Sequence, residues 1–495
     1  MEHVFQTETM NTQTQENFLN NPHPGSLVKP LPWNTVTPIS AYERIANGPY
    51  SFLLESVKGA ESTARYSFVG TEPFLVLRTK GPRAEINRQG RSETVQGLPF
   101  AILRNLLDEF STPKTEGLPP FFGGAVGLFS YDLVRFFEKL PRLAVDDLDC
   151  PDLMFMFVDT VIAFDHKQET VQIVYTPPKS CVLNTNRKTL LEEGLSKIAR
   201  LEERLTDPIQ TPSRKQDSLP IIQPESNFTK AQYIQMVQRC KDYVAAGDIY
   251  QANLSQRFSV PFQQDPWSLY KVLRGINPSP FAGFLQMGDF QLVSASPERL
   301  IRLQNGVLET RPIAGTRPRG GSLHKDQGMR IELLASEKER AEHLMLVDLE
   351  RNDLGKICRY GSVQVDEFMV TEQYSHVIHI VSNIRGELLP ETHCIDVIRA
   401  VFPGGTITGV PKIRCMEIIE ELEPVVRGPY TGSFGYISLA GEMDLNLIIR
   451  TFVIKNGRAY IQVGGGIVAD SEPEREYQET LYKAEALLNA LRQLR

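Results

Sequence analysis

The sequence predicts an α+β protein, and three observations lead there. Residues 38–176 carry short apolar runs bounded by Gly and Pro, residues 185–205 carry a helical stripe, and residues beyond a Pro-rich joint mix both patterns.

Taken in order, residues 1–26 are rich in Asn, Gln, Thr and Glu. They lack the basic and apolar segments of a signal peptide, so a disordered, frayed tail is expected. Residues 27–205 read as an N-terminal β-rich region, with strands expected at 51–54, 74–78, 125–130 and 155–164. Its helix at 185–205 lines up Leu190, Leu191, Leu195, Ile198, Leu201 and Leu205. Pro208, Pro212, Pro220 and Pro224 mark 206–227 as a linker. The second region, 228–495, opens with a helix over 229–247 and continues through strands at 250–258 and 281–287. A long helix is expected over 326–354 and a last one over 473–494, where Tyr477, Leu481, Ala484, Leu488 and Leu491 share a side. No fixed-period repeat is present, which argues against a solenoid.

Bulk properties narrow the function. The 495 residues are 41% hydrophobic and 23% charged, enough for two or three domains or one composite core. Lys and Arg number 53 against 60 Asp and Glu, a net charge of -7, so no whole-chain basic field exists to hold nucleic acid or an anionic membrane. No run approaches the ~20 apolar residues that span a bilayer. The six cysteines form no C-x-x-C pair, which fits reduced thiols and a cytoplasmic location. A small-molecule substrate is the expectation that follows.

Candidate chemistry is concentrated in the second region. Glu339 and Glu342 stand three apart on one expected helix, Glu476 and Glu479 three apart on another, so each pair shares a face. Such pairs are ordinary on solvated helices; brought together, four carboxylates need a divalent cation, and an all-oxygen site suits magnesium. Gly464, Gly465 and Gly466 end an apolar run and let backbone N–H groups approach an anion, as a plain strand-exit loop also does. Arg450, at the end of the alternating run 445–451, can clamp a carboxylate or simply decorate a strand. The loop 311–317 offers Gly315 N–H and the Thr316 hydroxyl, or is a tight turn. Glu298 follows an apolar strand, where partial burial keeps a carboxyl protonated as a general acid, unless it is a helix or turn cap. His379 sits in an apolar run as either a structural or a working histidine.

These signals occur together and in order. The segments SASPE (294–298), PIAGTRPR (312–319), ERAEHLMLVDLERNDL (339–354), HVIHIVS (376–382), FPGGTITGVPK (402–412) and VGGGIVADSEPEREYQET (463–480) closely resemble the chorismate-utilising enzymes over about residues 228–492. The resemblance implies a large mixed α/β fold in which antiparallel sheets pack as a sandwich with surrounding helices. It implies direct magnesium ligation by Glu342 and Glu479, water-linked ligation by Glu339 and Glu476, and an ion that holds the ring carboxylate. Gly315, Thr316, Tyr430, Arg450, Gly464 and Gly466 match chorismate-contacting positions, with Gly465 between the last two and Lys483 as a nearby cation. Glu298 matches the acid that protonates the departing C4 hydroxyl. His379 matches a histidine that supports full turnover.

Two positions bear on the branch of the family. Isochorismate and salicylate synthases carry a water-activating lysine where this chain has Gln251, and a neutral amide is no base. Aminodeoxychorismate synthases typically carry a nucleophilic lysine where this chain has Ala314, and a methyl leaves C2 open to ammonia. The resemblance therefore implies the anthranilate synthase branch, with ammonia as nucleophile and pyruvate released. Leu54, Glu55 and Ser56, with Pro278, Ser279 and Pro280, resemble the element that binds tryptophan as a feedback inhibitor. Related elements hold a structural tryptophan in some aminodeoxychorismate synthases, and IYQANLS (249–255) reads like that branch, so 4-amination stays the alternative. A non-catalytic tryptophan sensor is a third. No G-x-C-x-G elbow is present, so a glutamine amidotransferase subunit is expected to supply the ammonia.

Overall fold

The computed structural model describes residues 12–20, 25–57, 65–207, 223–319, 322–373 and 377–494. Two sheets of twelve strands each dominate it, with neighbouring strands antiparallel. Each sheet is assembled from both sides of the linker. In the first, the strand Tyr50–Glu55 pairs with Phe281–Met287, Leu54 opposite Gly283. In the second, Gly124–Phe129 pairs with Ser433–Ser438, Leu128 opposite Phe434. The two sequence regions thus share one continuous strand ladder per sheet. Residues 208–222 of the linker lie outside the described residues.

The sheets stack face to face over one large apolar cluster. Phe52 and Phe68 of the first meet Phe121 and Tyr436 on the other side, with ring centroids 5.4 Å apart for Phe68 and Phe121. Helices cover the outer face of the first sheet. Arg187–Thr206 starts at Asn186, whose side chain accepts from Lys188 N–H, and buries Leu190, Leu191, Ile198, Leu201 and Leu205. Lys230–Ala245 opens on a Thr229/Gln232 capping box, and Pro473–Gln493 buries Thr480, Ala484, Leu487 and Ala490.

Several expectations need correction. The tail contains a helix, Thr12–Asn20, anchored by Phe18 in the core; one buried aromatic holds an otherwise polar segment. The run 155–164 is two strands, Leu153–Val158 in the second sheet and Thr160–Asp165 in the first, with Asp159 at the crossing. Its carboxylate accepts from Thr160 Oγ1 at 2.8 Å and Lys197 Nζ at 2.5 Å. The long helix is likewise two, Leu323–Ala335 and Glu337–Gly355, because Ser336 leaves the helical region and caps Glu339 N–H. The run 445–451 breaks between Met443–Leu447 and Thr451–Lys455, with Arg450 at φ +50°. The glycine run lies inside the strand Arg458–Ile467, and 311–317 is largely the strand Ile313–Pro318 with a bulge at Gly315.

Because the shared strands carry the core, truncating one of them tests the architecture. Phe52 is fully buried on the junction strand, opposite Leu285. Phe52→Ala should lower unfolding stability by about 3–5 kcal/mol, read as a lower guanidinium midpoint with a single transition spanning both sequence regions.

Candidate active site

Two neighbouring crossings between the sheets build the centre of the site. The chain leaves the first sheet at Ser296 and enters the second at Arg299, with Glu298 at the corner. It makes the reverse passage between Leu447 and Thr451, with Arg450 at the corner. The corners are bonded to each other: Leu447 N–H donates to Glu298 O at 3.0 Å, Ala295 N–H to Arg450 O at 3.1 Å, and Ser296 Oγ to Leu447 O at 2.6 Å.

Glu298 is 7% exposed. Burial pushes its carboxyl up to about 8, opposed by the Thr406 hydroxyl, the Arg450 guanidinium and Ile313 N–H, and reinforced by the Glu350 carboxyl. It is a protonated acid at neutral pH. His379, on the strand Val377–Glu387, pairs with Thr316 across the ladder and donates from Nδ1 to Gly315 O at 3.0 Å. Burial, with Arg450 and Lys483 nearby, pushes His379 down to about 4, so the ring is neutral with Nε2 as its acceptor nitrogen. Gly315 sits at φ +62°, and a Cβ there would lie 3.0 Å from Glu339 Oε2. Ala314 adjoins it, opposite Ile380. The side chain of Thr316 lies outside what the structure describes.

The second wall is the strand Arg458–Ile467. Gly464, Gly465 and Gly466 face Ser255, Leu254 and Asn253. A Cβ at Gly464 would meet Leu254 O at 2.5 Å, and one at Gly466 would meet Gln251 Nε2 at 2.1 Å. One at Gly465 would lie 3.4 Å from Glu476 Oε2 and 3.6 Å from Glu479 Oε1. Lys483 ties this wall to the C-terminal helix, donating to Gly464 O at 2.9 Å and pairing with Glu479 at 2.7 Å. Tyr430 is buried beneath the Arg427 guanidinium.

The four glutamates share one charge environment. Glu342 is raised by burial and then by Glu339, Glu476 and Glu479, with Lys338 opposing. Glu476 is raised by burial and Glu479, while Lys483 lowers Glu479. Among the described residues no three His, Cys, Asp or Glu side chains converge closely enough to hold a metal ion. The carboxylates are turned aside: Glu479 to Lys483, and Glu339 to Arg317 at 3.1 Å. The donor set itself, all oxygen on two helices, with Glu342 and Glu476 each raised by neighbouring carboxylates, fits a hard divalent cation once those side chains rotate.

Sequence reasoning left four neighbours without a role. Thr406, Asn253 and Glu350 lie within the FPGGTITG, IYQANLS and DLERND segments but were assigned nothing there. Tyr233, buried beside Glu476, Tyr430 and Glu479, was legible only as a core residue of its helix.

The tryptophan-type residues lie elsewhere. Leu54, Glu55, Ser56 and Pro280 line a cavity of about 290 Å³ that shares no lining residue with the acid site. Ser56 Oγ donates to Pro280 O at 2.9 Å. Glu55 is held by Tyr270 at 2.9 Å and by Arg274 at 2.7 and 2.6 Å. Ser279 lies behind the wall, accepting from Val57 N–H at 3.2 Å, with Pro278 preceding it. All six cysteines are free. Among the described residues no helix is long and apolar enough to cross a membrane.

A family model described as chorismate binding enzyme matches residues 51–489. Anthranilate synthase component 1 of Acetivibrio thermocellus is 41% identical, covering 92% of each chain. Aminodeoxychorismate synthase component 1 of Bacillus subtilis is also 41% identical, covering 94% of this chain and 96% of that one. The crystal structure of anthranilate synthase component I from Streptococcus pneumoniae superposes with a TM-score of 0.76 at 34% identity, covering 92% of this chain and 98% of that one.

The protonation of Glu298 is directly measurable. In infrared difference titration its carboxylic C=O band should persist at neutral pH and disappear through about pH 8. Glu298→Gln should remove it; a band lost at the usual carboxylate pH would contradict the burial argument.

Proposed function

The chain belongs to the chorismate-binding enzyme family, and from that premise we propose that it works as the chorismate-binding component of an anthranilate synthase. The observation that carries the choice of branch is Ala314 in the strand beside Gly315 and His379, a methyl side chain that cannot itself attack C2.

In this reading ammonia adds at C2 of chorismate while Glu298 passes its proton to the C4 hydroxyl, which leaves as water. Burial supports that role, since an acid poised near neutral pH is a better donor than a solvated carboxylate. Loss of the C2 proton and the enolpyruvyl group then yields anthranilate and pyruvate. Arg450 and the Gly464–Gly466 backbone bind and orient carboxylate groups, and neutral His379 positions the intermediate through its bond to Gly315. Glu342 and Glu479 would hold magnesium, with Glu339 and Glu476 behind them. When bound, the ion supplies positive charge for the ring carboxylate and relieves the repulsion among the four glutamates. The "component 1" in the relatives' names supports a second component, a glutamine amidotransferase that delivers the ammonia.

The cavity at Ser56 supports tryptophan as an inhibitor that binds away from chorismate. The second reading, 4-amination, is favoured by the aminodeoxychorismate synthase relative at equal identity and by the IYQANLS segment.

Chorismate, ammonium salt and magnesium should give fluorescent 2-aminobenzoate without any added lyase. Product that becomes aromatic, as 4-aminobenzoate, only when an aminodeoxychorismate lyase is added would select the second reading. Glu342→Gln and Glu479→Gln should each abolish turnover while leaving the circular dichroism spectrum unchanged. Ser56→Ala should leave the uninhibited rate near that of the parent and weaken tryptophan inhibition about tenfold, the loss of one good hydrogen bond; equal inhibition would move the inhibitor out of this cavity.

A further inference from the structure

Behind Glu298 lies a second buried carboxyl that the reaction above does not use. Glu350 is 4% exposed, on the helix Glu337–Gly355 beyond the half-buried turns that carry Glu339 and Glu342. Its Oε2 accepts from the Thr310 hydroxyl at 3.2 Å, and the Gly405 N–H also bonds its carboxyl. The next residue, Thr406, presents its hydroxyl to Glu298, and Ile313, three residues after Thr310, donates its N–H to Glu298. The same two short segments, 310–313 and 405–406, therefore lie against both carboxyls.

Other charges are fixed around the pair. Arg450 faces Glu298; Asp353 and Lys412 face Glu350. Lys412 donates to Asp353 at 2.5 Å and to Val401 O at 3.1 Å, and Lys356 takes the other Asp353 oxygen at 2.8 Å. Asp353 is thus engaged by two lysines, and at Glu350 the Asp353 charge raises the carboxyl while the Lys412 charge lowers it. Asp353, Lys356 and Lys412 also line an open groove of about 720 Å³, so Glu350 stands between the acid and a solvated surface.

We propose that Glu350 is a positioning residue for the proton donor: its carboxylate, held behind Glu298 by Thr310 and Gly405, keeps the proton on Glu298 until the departing hydroxyl takes it. The inference rests on the reading of Glu298 as that donor. Two carboxyls in one low-dielectric pocket resist double ionisation. Burial sets Glu350 at about 7 and Glu298 at about 8. When Glu350 is ionised, held by the Thr310 hydroxyl and Gly405 N–H, its negative charge opposes a second one on Glu298. After Glu298 has protonated the leaving hydroxyl, which departs as water, the pair is doubly negative and regains one proton from solvent.

Glu350→Gln keeps the shape and the bonds to Thr310 and Gly405 but carries no charge. In the ligand-free protein the Glu298 infrared band, identified with Glu298→Gln, should titrate about one pH unit lower than in the parent. The alkaline limb of kcat/KM with ammonia should move with it, so that activity well above the limb falls about tenfold further than activity at neutral pH. Glu350→Met, an apolar side chain of similar length, should give the same shift and serves if the glutamine variant does not fold. A Glu298 band that stays in place, with activity lost equally at every pH, overturns the proposal and leaves Glu350 a packing residue. A shifted band in a protein that makes no anthranilate supports the carboxyl pair and instead counts against the functional reading.

Discussion

The site depends on one constraint: at two adjacent corners the chain passes from one sheet to the other in opposite directions, and the two passages are hydrogen-bonded to each other. The bonds Leu447 N–H to Glu298 O and Ala295 N–H to Arg450 O leave neither corner free to move alone. Glu298 and Arg450 are therefore presented side by side from a rigid seam rather than from loops. Arg450 adopts φ +50°, a strained conformation for a non-glycine residue that the surrounding ladder holds in place. Strands from both sides of the linker flank this seam, so the core that supports it draws on both sequence regions.

Burial and charge divide the acidic groups into two sets. Glu298 and Glu350 are buried, and desolvation raises both carboxyls above the usual carboxylate range despite Arg450 beside Glu298 and Lys412 beside Glu350. Glu479 lies beside Lys483, which holds it below the usual carboxylate range. Glu342 and Glu476 lie between these extremes, raised by burial and by each other's neighbours. In the proposed function the same residue type would serve as proton donor on one wall and anionic ligand on the other, with environment making the difference.

Much of this was legible in the sequence because it is local. The helices Lys230–Ala245 and Pro473–Gln493 announce themselves through periodic apolar residues, and the motif segments carry the site residues in order. What was not legible depends on tertiary context. A period-2 pattern looks the same whether a strand stays in one sheet or crosses to another, so the breaks at Asp159 and near Arg450 were invisible. Three glycines read as a loop because glycine usually ends strands; here they remain in the ladder because Leu254 O and Gln251 leave no room for a Cβ. Ser336 split a helix whose apolar pattern runs on through it, by capping the second half. Glu350 was hidden because a buried glutamate and an exposed one have the same spelling, and only the segments folded over it tell them apart.

The shared ladder also connects the Ser56 cavity to the acid. Asn446 lines the cavity, donates to Phe281 O at 3.2 Å and accepts from Phe434 N–H at 3.2 Å. Its neighbour in sequence, Leu447, donates to Glu298 O. Phe281 in turn pairs with Ser296, two residues before Glu298. An occupant that displaced Asn446 or Phe281 would therefore act on both strands that lead into the corner carrying the acid. Such a path requires no large movement: the corner is held by a few bonds of about 3 Å, and hydrogen-bond strength falls steeply as geometry is lost. For the inhibition proposed above, a physical network of this kind would be the route, and the size of the effect would be set by how differently the occupant binds the two arrangements of the corner.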